Sequence, residues 1–234
     1  MTLDPRASRP VLAVAGLARE ARIAAGPGVE TIQAGGSPTR LRAMLAARSG
    51  ERPRAVVSFG IAGGLDPELV PGDIVIGSAV VNGRRHAASA ALVEAFVRIL
   101  GAGSPASGRV VVADLAGVET AVMTVRAKAA LRAATGAAAV DMESQVAAAW
   151  AGEHGLPFTM LRVVCDPAQR ALPRFAANAL KPNGDPDVVG VLAALARREA
   201  KVGELVRLAR DSGAAFRSLG RARALLGLAL GIDA

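Results

Sequence analysis

Two short acidic segments hold the residue types best suited to chemistry in this chain. One reads Val140-Asp141-Met142-Glu143-Ser144 and the other Arg162-Val163-Val164-Cys165-Asp166. Val140 ends a run of small residues, and Glu143 opens a helix-like stretch. Asp166 closes an apolar, strand-like run and is followed at once by Pro167. Burial opposes the charge of a carboxylate, so a carboxylate at the end of a buried strand is expensive without a role. In an open α/β sheet, the carboxyl ends of the strands are also where ligands bind. A third segment, Ser58-Phe59-Gly60-Ile61-Ala62-Gly63-Gly64-Leu65, supplies a glycine-rich strand end that lets a ligand approach the backbone closely.

Other chemistries are poorly supported. The glycine segment is not Gly-x-Gly-x-x-Gly, and no Gly-Lys-Ser/Thr follows it, so neither a dinucleotide fingerprint nor a P-loop is present. His86 and His154 are isolated, and no His/Cys/Asp cluster has metal-ligand spacing, so no metal is expected. Cys165 is the single cysteine. It excludes an internal disulfide, favours a reducing compartment and reads as a small buried residue. Gly35-Gly36-Ser37 precedes a helix-like stretch and offers backbone N–H groups at a helix N-terminus, an anion site. Arg40, in the first turn of that stretch, would add a charged fork. These four are the candidate phosphate-binding residues.

The elements that must position these groups follow from the apolar pattern. Strand-like runs fall at 11–15, 55–59, 74–81, 110–113, 137–140 and 158–164, and several are apolar throughout. That is the pattern of strands covered on both faces. Helix-like runs at 38–48, 90–100, 125–134 and 144–154 lie between them. The alternation predicts an α/β three-layer sandwich, with a mixed, mostly parallel sheet flanked by helices. A chain of 234 residues fits one such domain, 1–234.

After Asp166 the pattern shifts. Residues 168–186 read as a loop with short turns at most, and helical stretches follow at 187–198 and 204–230, forming a basic C-terminal region 187–230. In the last stretch Leu205, Leu208, Ser212, Phe216, Leu219, Leu226 and Leu230 recur at helical steps, while Arg207, Arg210, Arg217, Arg221 and Arg223 take other faces. A break is expected near Gly213 or Gly220. Two readings stand: a helix packed on its own domain, or a surface of residues 204–230 that touches membrane or a lipid-like substrate.

Net charge is +8, carried by arginine, with lysine only at Lys128, Lys181 and Lys201. No basic stretch is interleaved with aromatics, so nucleic acid is not an expected partner. No apolar run reaches about 18 residues, which predicts no transmembrane helix. The opening Met1-Thr2-Leu3-Asp4-Pro5 has no apolar signal-peptide core. Cytoplasmic localisation is expected, peripheral at the inner membrane surface if the last helix touches lipid.

Gly60-Ile61-Ala62-Gly63-Gly64-Leu65, with Val70-Pro71-Gly72-Asp73-Ile74-Val75 after it, resembles the nucleoside phosphorylase and methylthioadenosine/S-adenosylhomocysteine nucleosidase superfamily. Asp141-Met142-Glu143-Ser144 resembles that family's ribose-binding Glu-Met-Glu segment, with Asp141 in place of the usual Glu. Arg162-Val163-Val164-Cys165-Asp166 resembles its Arg-x-x-Ser-Asp segment. Order and spacing match from Val11 to about Asp166. The opening Gly16-Leu17-Ala18-Arg19-Glu20-Ala21-Arg22-Ile23, the tail 175–184 and the Arg-rich last helix resemble the hopanoid-associated phosphorylase branch.

The resemblance implies cleavage of a purine N-glycosidic bond, and the finer one implies release of adenine from adenosylhopane. Asp166 would then protonate the leaving base. Glu143 would accept hydrogen bonds from the ribose hydroxyls, Met142 would pack on the sugar, and His86 falls where relatives carry a loop near the ribose. Glu20 would position a nucleophilic water or a ribose hydroxyl. Nucleosidases tend to have two adjacent acids here, and Ala21 follows Glu20 in this chain. That departure favours phosphorolysis, with inorganic phosphate as co-substrate and no other cofactor. The base pocket is expected around Ala62, Gly63, Val122 and Met123, without the aromatic ring that relatives often stack there. A homo-oligomer is implied by analogy. The alternatives are a methylthioadenosine-type nucleosidase, a purine nucleoside phosphorylase, or a catalytically silent binding protein on the same scaffold.

Overall fold

Strands that are apolar on both faces fill the middle of the molecule. The computed structural model describes residues 9–101, 108–172 and 202–232. The expected helix at 187–198 and the loop from 173 to 186 lie outside these. In chain order the strands are β1 (Val11–Ala15), β2 (Val29–Gln33), β3 (Ala55–Gly64), β4 (Ile74–Asn82), β5 (Arg84–Ala87), β6 (Val110–Gly117), β7 (Ala139–Asp141) and β8 (Phe158–Asp166). The helices are α1 (Ala18–Ala24), α2 (Pro38–Ala46), α3 (Ala90–Gly101), α4 (Val125–Thr135), α5 (Ser144–Glu153) and α6 (Val202–Leu226).

All eight strands join one mixed sheet. β1 lies between β2 and β3, parallel to both. β8 sits between β3, to which it is parallel, and β4, to which it is antiparallel. β4 pairs with β6, β6 with β7, and β7 returns to β3. Five strands thus close a ring: β3, β8, β4, β6 and β7. Register shifts at Ala62/Gly63 and between Gly77 and Val80 accompany the closure, as local irregularities bend strands at barrel corners.

Successive side chains of a strand point to opposite faces, and the core divides accordingly. Val11, Ala13, Val57, Phe59, Leu161 and Val163 pack with residues of α3 and α6, such as Phe96 and Leu219. Leu12, Val14, Val56, Met160 and Val164 pack with Leu41 and Leu45 of α2 and Val146 and Ala147 of α5. The expected layered α/β architecture is observed.

Differences from the sequence reading have local causes. β2 and β5 were not expected. β2 mixes polar and apolar residues without alternation and is half-buried throughout, and β5 is mostly exposed and lies at a sheet edge. The last helix is not interrupted at Gly213 or Gly220; it runs to Leu226 and stops at Gly227, whose φ of +64° ends it. Its apolar stripe faces inward: Ala215, Phe216, Leu219, Ala222 and Leu226 are buried in the core. Arg223 donates to the carbonyls of Ala24 and Ala25, and the Arg19 guanidinium lies 4.1 Å from the centre of the Phe216 ring. Among the described residues no helix is long and apolar enough to cross a membrane.

Leu219 is fully buried. Leu219→Ala should therefore lower the unfolding free energy by about 2–5 kcal/mol, read as a lower urea midpoint with an unchanged slope. A change near zero would mean that α6 is not part of the core.

Candidate active site

The ring brings the two acidic segments to opposite sides of one glycine. Gly63 of β3 pairs with Asp166 of β8 on one side and with Val140 of β7 on the other. Neighbouring strands lie about 4.8 Å apart, so roughly 10 Å separates the two segments. β1 pairs with β3 only as far as Ser58, and β7 takes over the same side from Gly63. The gap between them opens at the carboxyl ends of β1 and β3, where open sheets bind ligands.

Arg162, in the middle of β8, is fully buried. It faces carboxylates from three elements. Its Nε lies 2.8 Å from Asp141 Oδ2, too poorly aligned to count as a hydrogen bond, and its Nη1 lies 3.4 Å from Glu143 Oε2. The third, Glu20, acts on it through its charge. Nη1 also donates to the Ile61 carbonyl at 3.2 Å, and Nη2 donates to Ser58 Oγ. Burial works against the guanidinium charge, yet the three carboxylates raise its pKa above the usual arginine value.

Each carboxylate has its own environment. Glu20 Oε2 accepts from the N–H groups of Gly16 (2.9 Å) and Leu17 (2.7 Å), and Oε1 accepts from Ile61 N (2.7 Å). The side chain thereby ties the start of α1 to β3. Asp141 Oδ1 accepts from the N–H groups of Glu143 (3.1 Å) and Ser144 (2.8 Å), and its Oδ2 from Ser144 Oγ, at the start of α5. Burial raises the pKa of Glu20 despite Arg162 and the three amides. Burial raises Glu143 to about 7; Arg162 opposes this, and the charges of Asp141 and Glu20 add to it. The cluster leaves no room for side chains on the facing strands. A Cβ on Gly16 would lie 2.6 Å from Glu143 Oε1, and one on Gly60 would lie 2.5 Å from Glu20 Oε1.

Glu20 and Glu143 line a cavity of about 220 Å³, and so does Asp166. Its remaining wall is largely apolar and includes Ala62, Val118, Val122, Met142 and Leu172. Asp166 is buried and held at both oxygens. Lys128 Nζ donates to Oδ2, and Cys165 Sγ lies 3.0 Å from Oδ1. Burial and the neighbouring Asp166 charge push the Cys165 thiol well above its ordinary pKa, so it stays protonated and donates. A small apolar chamber with buried carboxylates on two sides can hold a neutral polar molecule, stabilise positive charge near one carboxylate and exchange a proton at another.

A model of the phosphorylase superfamily matches residues 24–205. The chain belongs to that superfamily. Among solved structures, it is similar to futalosine hydrolase of Helicobacter pylori strain 26695, with a TM-score of 0.64 and 12% identity over 91% of this chain and 96% of that one. It is also similar to the Campylobacter jejuni 5′-methylthioadenosine/S-adenosylhomocysteine nucleosidase, with a TM-score of 0.62 and 12% identity over 93% and 96%. A Colwellia psychrerythraea nucleosidase of the same type, solved with adenine, gives a TM-score of 0.59 and 19% identity over 92% and 96%. At such identities the likeness speaks for the fold. A search of curated protein sequences finds no match.

Within this superfamily member, most of the expected site residues meet. Asp166, Glu20, Glu143, Met142, Ala62, Gly63, Val122 and Gly36 all line the one cavity. Met123 does not line it; its carbonyl accepts from Leu172 N at 2.8 Å. His86 lies elsewhere, in a separate cavity of about 620 Å³ with Arg42, Gln145, Trp150 and His154, because β5 folds back along the outer edge of β4. The expected phosphate cradle is largely engaged by the fold. Gly36 N donates to Gly16 O, Ser37 N to Ala34 O, and Ser37 Oγ caps α2 by accepting from Arg40 N. Gly35, Ser37 and Arg40 are absent from the cavity wall. Among the described residues no group of three His, Cys, Asp or Glu side chains could hold a metal ion.

Sequence reasoning missed two participants. In the sequence Arg162 stands out only as part of a motif, and Lys128 only as one of the lysines. The available signal for Lys128 was its rarity: it is one of three lysines in a chain that otherwise uses arginine.

The raised Glu143 pKa gives a signed prediction. The unfolded chain releases this proton near its ordinary value of 4.5, and the folded chain keeps it to about 7. The folded state therefore binds the extra proton in that window, and stability falls as pH rises through it. At roughly 1.4 kcal/mol per tenfold change in proton affinity, the fall is on the order of 3 kcal/mol. Urea unfolding across pH 4.5–7.5 should show it in the wild type, and Glu143→Gln should flatten it. An identical slope in the variant would assign the titration to another group.

Proposed function

We propose that the protein cleaves the N-glycosidic bond of a purine nucleoside and releases the base. The observation that carries this reading is the shared cavity, with Glu143 and Asp166 on opposite sides of Gly63. Breaking this bond leaves positive charge on the sugar and negative charge on the base. Glu143 accepts hydrogen bonds from the ribose hydroxyls, and in its ionised form, above about pH 7, its charge stabilises the cationic sugar. Met142 packs against the sugar face, and Ala62, Gly63 and Val122 flank the base. Asp166 is the proton-exchanging group at the base nitrogen, a role typically worth about 10²–10⁴ in rate.

Adenine is the base we favour, and a neighbour of the same fold was solved with adenine bound. The finer proposal is adenosylhopane, or a similar adenosine with a bulky apolar 5′ substituent. Its support is the sequence resemblance at Gly16–Ile23 and in the basic last helix. The outer start of α6 adds to it by exposing Val206, Arg207 and Arg210, while the apolar stripe beyond is buried in the core. Those three residues form the surface proposed to meet an anionic membrane. Glu20, with three backbone amides on its oxygens, is better suited to holding the site together than to activating water.

Purified protein should release adenine from adenosylhopane or a 5′-alkylated adenosine, and Asp166→Asn should slow release by about 10²–10⁴. Equal rates would remove Asp166 from the mechanism. Binding without release would favour the silent-scaffold alternative. The sugar product separates the two chemistries: the free 5-substituted ribose for hydrolysis, and its 1-phosphate for phosphorolysis.

A further inference from the structure

Lys128 is the only residue of α4 that is buried, and it is 1% exposed. Its ammonium group has three N–H donors, and each has an acceptor: Asp166 Oδ2, the Pro167 carbonyl at 2.8 Å and the Arg170 carbonyl at 3.1 Å. A buried ion pair seldom stabilises a fold more than apolar packing of the same volume, so stability is a weak reason for it to be here. The choice of lysine is informative in a chain whose cations are nearly all arginine. A guanidinium holds its proton under all ordinary conditions, whereas an ammonium can give one up.

We propose that Lys128 is a positioning residue that stores, beside Asp166, the proton taken up by the departing base. The proposal rests on the reading of Asp166 as the group that meets the base. As the bond between the sugar carbon and the base nitrogen breaks, its electron pair goes to the base. A proton passes from Lys128 Nζ to Asp166 along the Oδ2–Nζ contact and on from Asp166 to a base nitrogen, so Asp166 carries it only in passing. Lys128 becomes an amine that keeps two N–H bonds, to Pro167 and Arg170, and its lone pair faces Asp166. The water or phosphate that bonds to the sugar carbon releases a proton, and this restores the ammonium. Cys165, donating to Oδ1, keeps Oδ2 turned toward Lys128.

The test compares wild type, Lys128→Met and Lys128→Arg on two probes with the same sugar. One is 5′-deoxy-5′-hexylthioadenosine, whose adenine must be protonated to leave. The other carries 4-nitrophenoxide, which leaves without a proton. Both variants should lose about 10²–10⁴ in kcat on the adenosine, with KM little changed. On the nitrophenyl probe they should stay within about tenfold of wild type. If Lys128→Met does not fold, as judged by its thermal midpoint, Lys128→Arg carries the comparison. Equal losses on both probes would overturn the proposal, and so would full activity of Lys128→Arg on the adenosine. A wild type that cleaves neither probe would overturn the glycosidic reading and this proposal with it.

Discussion

Arg162 bears its charge where water does not reach, and three carboxylates from separate parts of the chain converge on it. A buried guanidinium without partners would be strongly unfavourable, and so would three buried carboxylates without a cation. The arrangement therefore constrains everything around it. It fixes how α1 leaves β1, through Glu20, and how α5 leaves β7, through Asp141 and Glu143. It also requires glycine at positions 16 and 60, because a methyl group at either would displace a carboxylate. Burial keeps a proton on Glu143 to about pH 7, with Arg162 opposing it and the charges of Asp141 and Glu20 adding to it. The residue proposed to meet the ribose is thus tuned by the residue that organises the fold.

Legibility in the sequence followed the kind of signal each element leaves. β1 is a continuous apolar run, and β3, β4 and β8 are mostly apolar and largely buried, so they were readable as strands. β2 and β5 mix polar and apolar residues at sheet edges and leave no comparable pattern. Asp166 and Glu143 were readable because one ends an apolar run and the other opens a helix-like stretch just after one. Lys128 was not, because its helix is built of small and basic residues and no apolar stripe marks the inward face. Its partner lies 38 positions further on, a distance that local pattern does not bridge. Gly35-Gly36-Ser37 showed the converse. The glycines and the capping serine were correctly placed at a helix start, but two of the amides expected to meet an anion are bound by neighbouring carbonyls.

The position of β8 has a consequence for how the molecule comes into being. Among the described residues it is the last strand of the sheet to be made, and it must enter between β3 and β4, whose sequences precede it by about a hundred residues. Such long-range pairing is slow, because chain entropy is lost before contacts repay it. Until β8 arrives, Glu20, Asp141 and Glu143 have no counter-charge, and the strands on either side have an open seam. On the ribosome, most of the chain would emerge before its charge centre could form. The same strand supplies Arg162 to the fold and Asp166 to the cavity, so assembly of the sheet and assembly of the cavity are one event.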